Sequence, residues 1–254
     1  MNYAPREQTR FVLGTPLQVT TYHDFTLHCQ KLCHLPQPSS IDFSNTQIVT
    51  MRRGDQAFRK ITDGYDIFIP DGMPLIWCLN FQGAKLRDRV YGPTFMRRCI
   101  LASPAPITHY FLGGSEDCVS QLKIFFTKQN PAIQIVGTRN GYFKSEQETE
   151  IVDEINRLSP DFIWVGLGTP KQQEWIHRNK PKIKRGVVFA VGFAFDVNAG
   201  TKKDAPLWMQ KLGLTWVFRL LSEPLRLGPR YLKYNSRFLF YLLWDGIRGR
   251  AFTR

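Results

Sequence analysis

The chain has 254 residues, is 43% hydrophobic and carries a net charge of +13. That is enough apolar material for one large domain, or one domain with an appendage, and the positive charge calls for an anionic partner: nucleic acid, a phosphorylated ligand or a lipid surface. No apolar run reaches the roughly 18 residues of a spanning helix, and MNYAPREQTR lacks the apolar stretch of a secretory leader.

In chain order, the first 40 residues give a short strand, a Gly-Thr-Pro turn and a helix from about Tyr22 to His34. Ile41 to Phe43 reads as a strand and Gln47 to Lys60 as one helix. Ile67 to Ile69 is the next strand, followed by helices over Met73 to Phe81 and Phe95 to Ala102. His109 to Leu112 is a strand ending in Gly113-Gly114, and Ser115 caps a helix to about Thr127. After a strand at Ile133 to Gly137, Ser145 opens a helix with Ile151, Ile155 and Leu158 at helical spacing. Phe162 to Val165 and Val187 to Val191 are fully apolar strands, with a helix over Lys171 to Asn179 between them. Continuously hydrophobic strands alternating with helices predict an α/β fold with a mostly parallel sheet covered on both faces. Near residue 200 the composition turns aromatic and basic, with Arg219, Arg226, Arg230, Lys233 and Arg237 against few acids. This divides the chain into a core of residues 1–200 and a helical C-terminal appendage of residues 201–254, which Pro224 and Pro229 should break into pieces.

Ligands of open parallel sheets bind beyond the carboxyl ends of the strands. Those ends carry Asn45-Thr46, Asp71-Gly72, Gly113-Gly114, Asn140-Gly141-Tyr142, Gly168-Thr169-Pro170-Lys171-Gln172 and Gly192 to Asp196, a set that reads as one shared rim. Asp71 follows the strand IFIP: it can cap the helix starting at Met73 or act as a general base for a sugar hydroxyl. Gly113-Gly114-Ser115 lets backbone N–H groups approach a phosphate, though Gly-Gly turns are also ordinary turn chemistry. Arg89 can hold a phosphate bidentately or pair with Asp88 on the surface. Lys171 to Glu174 can be a solvated first helical turn, or can send Gln172 into the rim. Neither a Walker loop nor G-x-G-x-x-G is present.

The five cysteines, Cys29, Cys33, Cys78, Cys99 and Cys118, lie mostly inside apolar patterns and suit reduced thiols in the cytoplasm. His28, Cys29, Cys33 and His34 lack the second pair a zinc site needs, and no D-x-D stands on the rim, so no metal site is expected.

The ordered series NTQIVTMRRGDQAFRK, DIFIPDGMPLIW, RDRVYGPTFM, HYFLGG, NGYF, DFIWVGLGTPKQQEWI, VGFAFDVNAG and DAPLWMQKLGLTWVFRLLSEPLRLGPRY resembles the WecG/TagA/CpsF glycosyltransferases over about residues 40–235. The resemblance implies a Rossmann-like three-layer α/β sandwich followed by a C-terminal helical appendage. It implies inverting transfer of a sugar, of the ManNAc, ManNAcA or GlcA type, from a UDP-sugar to a polyprenyl-diphosphate-linked saccharide in surface-glycan biosynthesis. The site would be cytoplasmic, at the inner face of the membrane and peripherally attached to its surface. No cofactor or metal would be needed, and the partners would include no nucleic acid; a homo-oligomer is compatible with the sequence.

Carried onto this chain, Asp71 matches the family's proposed general base, and Asn45, Arg89 and Gln172 match polar residues of the pocket, with Arg89 on the nucleotide diphosphate. Tyr142 and Asp196 match positions near the nucleoside. Gln172, with the glycine-rich ends at Gly113, Gly114 and Gly168, would help carry the charge of the leaving diphosphate beside Arg89. Arg219, Arg226 and Arg230 match appendage arginines expected to close over the site. Phe43 stands where better-known members carry threonine, Gln173 where glutamate is common and Phe193 where a second glycine is frequent; these departures leave the sugar open. The competing readings are a basic nucleic-acid-binding protein and a non-catalytic scaffold of a glycan assembly complex.

Overall fold

Each apolar run set between helical stretches becomes a strand in the computed structural model, which describes residues 9–103 and 106–254. The first eight residues, MNYAPREQ, lie outside the described residues. Along the chain come β1 (Thr9–Val12), β2 (Thr15–Gln18), α1 (Tyr22–Leu32), β3 (Ser39–Ser44), α2 (Thr46–Gly54), α3 (Gln56–Thr62), β4 (Ile67–Pro70), α4 (Met73–Phe81) and α5 (Gly92–Leu101). Then follow β5 (Thr108–Gly113), α6 (Glu116–Gln129), β6 (Gln134–Arg139), α7 (Glu148–Leu158), β7 (Phe162–Gly166), α8 (Lys171–Asn179), β8 (Val187–Ala190) and α9 (Ala194–Ala199). The tail forms α10 (Leu207–Lys211), α11 (Thr215–Ser222) and α12 (Pro224–Ile247). The fold is α/β and Rossmann-like; among the described residues the β1–β2 hairpin is antiparallel, and β2–β4, β3–β8, β8–β7, β7–β5 and β5–β6 pair in parallel. No described helix is long and apolar enough to cross a membrane.

Two compact units divide the chain. The first takes the chain up to Thr21, Phe43–Tyr91 and Asp204–Arg254; the second takes Tyr22–Asp42 and Gly92–Lys203. The compositional shift near residue 200 therefore falls where the chain leaves the second unit, and the basic tail packs with earlier parts of the sequence.

In the second unit β3, β8, β7, β5 and β6 lie side by side, in that order. Aromatic side chains build its core: Trp164 stacks on Phe189 at 4.2 Å between ring centroids, and Phe162 meets Phe189 edge-on. Cys29, Cys33 and Cys99 are fully buried, and burial pushes their thiols up, Cys33 to about 11. They are packed side chains, poorly disposed to ionise.

His109 is also fully buried, and Trp164 Nε1 donates to its Nδ1 at 3.3 Å. Burial pulls its pKa from the ordinary 6.5 down to about 4, against a smaller opposing pull from Asp161. Above 6.5 both folded and unfolded chains hold it neutral. Between 6.5 and 4 the unfolded chain takes a proton that the folded one refuses, so stability falls as pH falls. The loss reaches about 3 kcal/mol by pH 4. Urea denaturation of wild type and His109→Asn across pH 4 to 7 should show this component in the wild type alone. Parallel pH profiles for the two proteins would refute it.

In the first unit β1 and β2 form an antiparallel hairpin about Leu13-Gly14, and β2 pairs parallel with β4. Of the Gly-Thr-Pro stretch expected as a turn, only Gly14 belongs to one: Leu13 and Gly14 take positive φ, and Thr15-Pro16 begins β2. The single helix expected over 47–60 is two helices. Asp55 interrupts it: its amide donates to Met51 O, and its carboxylate accepts from Ala57 N and Phe58 N to start α3. Nor do both prolines break the tail. Pro224 occupies the first turn of α12, where a missing N–H costs nothing, and Pro229 lies inside that helix.

α12 packs along α2 through three side chains of α2. Thr46 Oγ1 meets Asn235 Oδ1 at 3.0 Å, Thr50 Oγ1 donates to Tyr234 O, and Arg53 pairs with Asp245 at 2.6 and 2.9 Å. The Arg53 hydrogen bond holds the buried Asp245 carboxyl below the usual carboxylate range.

Candidate active site

The site residues of the first unit follow from where its strands stop. Asp71 N donates to Ser44 O at 2.7 Å, which sets the ends of β3 and β4 side by side and brings Asn45 next to Asp71-Gly72. Asn45 caps α2, its Oδ1 accepting from Gln47 N and Ile48 N. The cap position of α4 falls on Gly72, so the capping role considered for Asp71 goes to its neighbour. Asp71 borders a cavity of 640 Å³ that lies entirely within this unit and is also lined by Asn45, Arg89, Arg219 and Arg230. Among the described residues, Asp71 is the one carboxylate lining it.

Arg89 is buried, and its guanidinium is held on three sides. Nη1 donates to Asp71 O at 3.1 Å, Nη2 donates to Thr215 Oγ1 at 2.8 Å, and the plane lies over Tyr91 with its carbon 4.2 Å from the ring centroid. The surface ion pair considered with Asp88 does not form. Asp88 instead accepts the backbone N–H of Arg89, and no carboxylate pairs with the guanidinium among the described residues. Tyr91 in turn donates to Asp204 Oδ1 at 2.8 Å. Burial, with Asp204 and Asp71 nearby, pushes its phenol well up, so it stays protonated.

The tail supplies the remaining cations. Arg230 is half-buried, its Nε finds no hydrogen-bond acceptor, and burial together with Arg219 and Arg226 lowers its pKa. A guanidinium crowded by like charge, with an unsatisfied buried N–H, is preorganised for an anion. Arg226 does not line the cavity; it is exposed and ion-paired with Glu223. The rest of the wall is largely aromatic, including Trp77, Trp216, Tyr231 and Phe238.

The other expected residues belong to the second unit. Gly113 and Gly114 take positive φ, and a Cβ on Gly113 would stand 2.5 Å from the backbone of Gly166. Gly113 is therefore required by the close approach of β5 and β7, Gly114 faces the Cys118 side chain, to which a Cβ would come within 2.8 Å, and Ser115 caps α6. Gln172 is buried, and its Oε1 accepts from Gly168 N at 3.2 Å. Gln173 is also buried and donates to Asp42 Oδ2 at 2.7 Å. Of the solvated first turn considered for this run, Lys171 is exposed and Glu174 half-buried, while the two glutamines between them are buried. Tyr142 is 83% exposed, its amide bonded to Asn140 Oδ1. Asp196 accepts from Thr201 Oγ1 at 3.2 Å and lies 3.8 Å from Lys202 Nζ. Phe43 is buried in β3.

Sequence reasoning passed over Tyr91, Thr215 and the aromatic wall. Tyr91 stands two residues after Arg89 in RDRVYGP, a spacing that put both in view. Thr215 carries no local signal.

One carboxylate among arginines, at strand ends of an α/β fold, is the arrangement of an enzyme that handles a phosphorylated substrate; comparison with known sequences gives its class as glycosyltransferase. The chain belongs to the glycosyl transferase WecG/TagA/CpsF family, whose model matches residues 10–251. Among its relatives is the N-acetylglucosaminyldiphosphoundecaprenol N-acetyl-beta-D-mannosaminyltransferase of Staphylococcus aureus (strain MW2), 29% identical over 188 residues that cover 73% of this chain and 72% of the relative. The Bacillus subtilis (strain 168) protein of the same name is 27% identical over 183 residues, 72% of this chain and 71% of the relative.

Proposed function

We propose that this glycosyltransferase moves a sugar of the ManNAc, ManNAcA or GlcA type from a UDP-sugar onto a polyprenyl-diphosphate-linked saccharide, with inversion and without a metal. The observation that carries the reading is the 640 Å³ cavity with three arginines, Arg89, Arg219 and Arg230, around the single carboxylate of Asp71. Diphosphates are what both substrates share, and guanidinium groups are their natural partners. The aromatic part of the wall suits the apolar carrier of the acceptor. The relatives' names, which specify a diphosphoundecaprenol acceptor and mannosaminyl transfer, support the same substrate classes.

In the reaction, the acceptor hydroxyl oxygen bonds to the anomeric carbon as the bond from that carbon to the UDP oxygen breaks. UDP leaves with the electron pair, and Asp71 takes the hydroxyl proton. Arg89, with the appendage arginines, stabilises the negative charge that grows on the diphosphate, a role a divalent metal fills elsewhere. Gln172 and the glycine-rich ends at Gly113, Gly114 and Gly168, with Tyr142 and Asp196, are proposed for the donor's nucleotide side.

Attachment to the inner face of the membrane is part of this reading. The tail exposes Leu225, Leu232, Leu243 and Ile247 at 69–93% beside Arg226, Lys233, Arg237 and Arg248, a mixture that suits an anionic bilayer surface.

The deciding experiment incubates the purified protein with a panel of UDP-sugars and a short-chain polyprenyl-diphosphate N-acetylglucosamine, read by mass spectrometry. One donor should extend the acceptor by a single sugar in the presence of a chelator. Absence of product with every donor, with and without added divalent metal, would overturn the proposal.

A further inference from the structure

Arg89 and Thr215 are 126 residues apart in the chain, yet the shortest hydrogen bond of the Arg89 side chain goes to the Thr215 hydroxyl, at 2.8 Å between two buried groups. Thr215 is the first residue of α11 and is 6% exposed. The other contacts of the guanidinium are the Asp71 carbonyl and the Tyr91 ring. All three are neutral. They fix the plane of the guanidinium without cancelling its charge, and its remaining N–H groups stay available to a ligand in the cavity. A carboxylate in the place of the hydroxyl would have bound the arginine as firmly but neutralised it.

We propose that Thr215 is a positioning residue for the transfer reaction: its hydroxyl aims the Arg89 guanidinium at the leaving diphosphate, so that the tail completes the site through Arg89. The inference rests on the glycosyltransferase reading of this cavity. Thr215 also borders the cavity, but its hydroxyl accepts from the arginine, so its effect through Arg89 belongs to the step in which charge develops on that diphosphate.

The test is a mutant cycle on the full chain. Thr215→Val, which keeps the shape and loses the acceptor, should lower kcat about tenfold while KM for the donor shifts less than about twofold, the size of effect expected for one unsatisfied buried N–H. Thr215→Ser should restore the rate to within about twofold of wild type. In an Arg89→Ala background, Thr215→Val should add less than about a twofold loss. Should Thr215→Val fail to fold, by its thermal unfolding midpoint, Thr215→Ala takes its place in the cycle. A wild-type rate for a folded Thr215→Val or Thr215→Ala, or a loss that multiplies in full in the Arg89→Ala background, would overturn the inference alone. A wild-type protein that neither binds UDP nor transfers sugar would remove the reading of the cavity, and this inference with it.

Discussion

Asp71→Asn should lower turnover by about 10²-fold or more and leave the Kd for UDP within about twofold of wild type. The substitution removes the charge of the side chain and its proton affinity. Asparagine has the same shape, and Arg89 is anchored on the main-chain carbonyl of residue 71, which the substitution keeps. α4 takes its cap position at Gly72, so the helix start is preserved as well. What disappears is the one carboxylate bordering the cavity among the described residues, and with it the proposed acceptor for the hydroxyl proton. Steady-state rates with the donor found in the mass-spectrometric screen, alongside UDP binding by calorimetry, make the comparison. Turnover near the wild-type value would assign the proton to another group. A parallel collapse of UDP affinity would mean that the carboxylate shapes the donor site.

Gly113→Ala should cost about 3 kcal/mol or more of folding stability. The alanine Cβ would lie 2.5–2.6 Å from the Gly166 carbonyl carbon, oxygen and Cα, with φ at 142°. These are main-chain atoms of the paired strand, so no side chain can swing aside; β5 and β7 must move apart through the middle of the second unit. Gly168→Ala is the control. Its φ is +76° but nothing lies within 4 Å of the added carbon, so it should lose only the left-handed backbone cost of about 1 kcal/mol. Urea midpoints of the three proteins, at unchanged m, separate the two effects. Equal stability for Gly113→Ala and Gly168→Ala would show that the strand contact is not what requires a glycine at 113.

Much of this architecture could be read from residues in a row. Apolar runs such as FIWV and VVFA are unambiguous strands because both of their faces are buried, and Asp71 stood out because a proline closes its strand and a carboxylate follows. Features set by neighbours distant in sequence were harder. Lys171-Gln172-Gln173-Glu174 looks like a wet helical turn, yet Gln173 is buried because Asp42, 131 residues away, needs a donor. The Arg89–Thr215 contact has the same character, joining two unremarkable stretches through the folded tail. The break at Asp55 is different: Gly54-Asp55 is a stop-and-start signal in the sequence, overridden in the reading by apolar periodicity on either side. Pro229 shows the reverse case, a strong local breaker carried inside a helix whose face is packed along α2.

The packing of α12 on α2 also bears on how such enzymes can be recombined. A crossover at a single point near residue 200 would deliver a foreign tail without the helix it was fitted to, leaving Arg53 opposite a stranger at position 245. The portable piece is discontinuous: residues 43–91 must travel with 204–254, so simple domain shuffling at one point is disfavoured, and chimeras should be cut at more than one place.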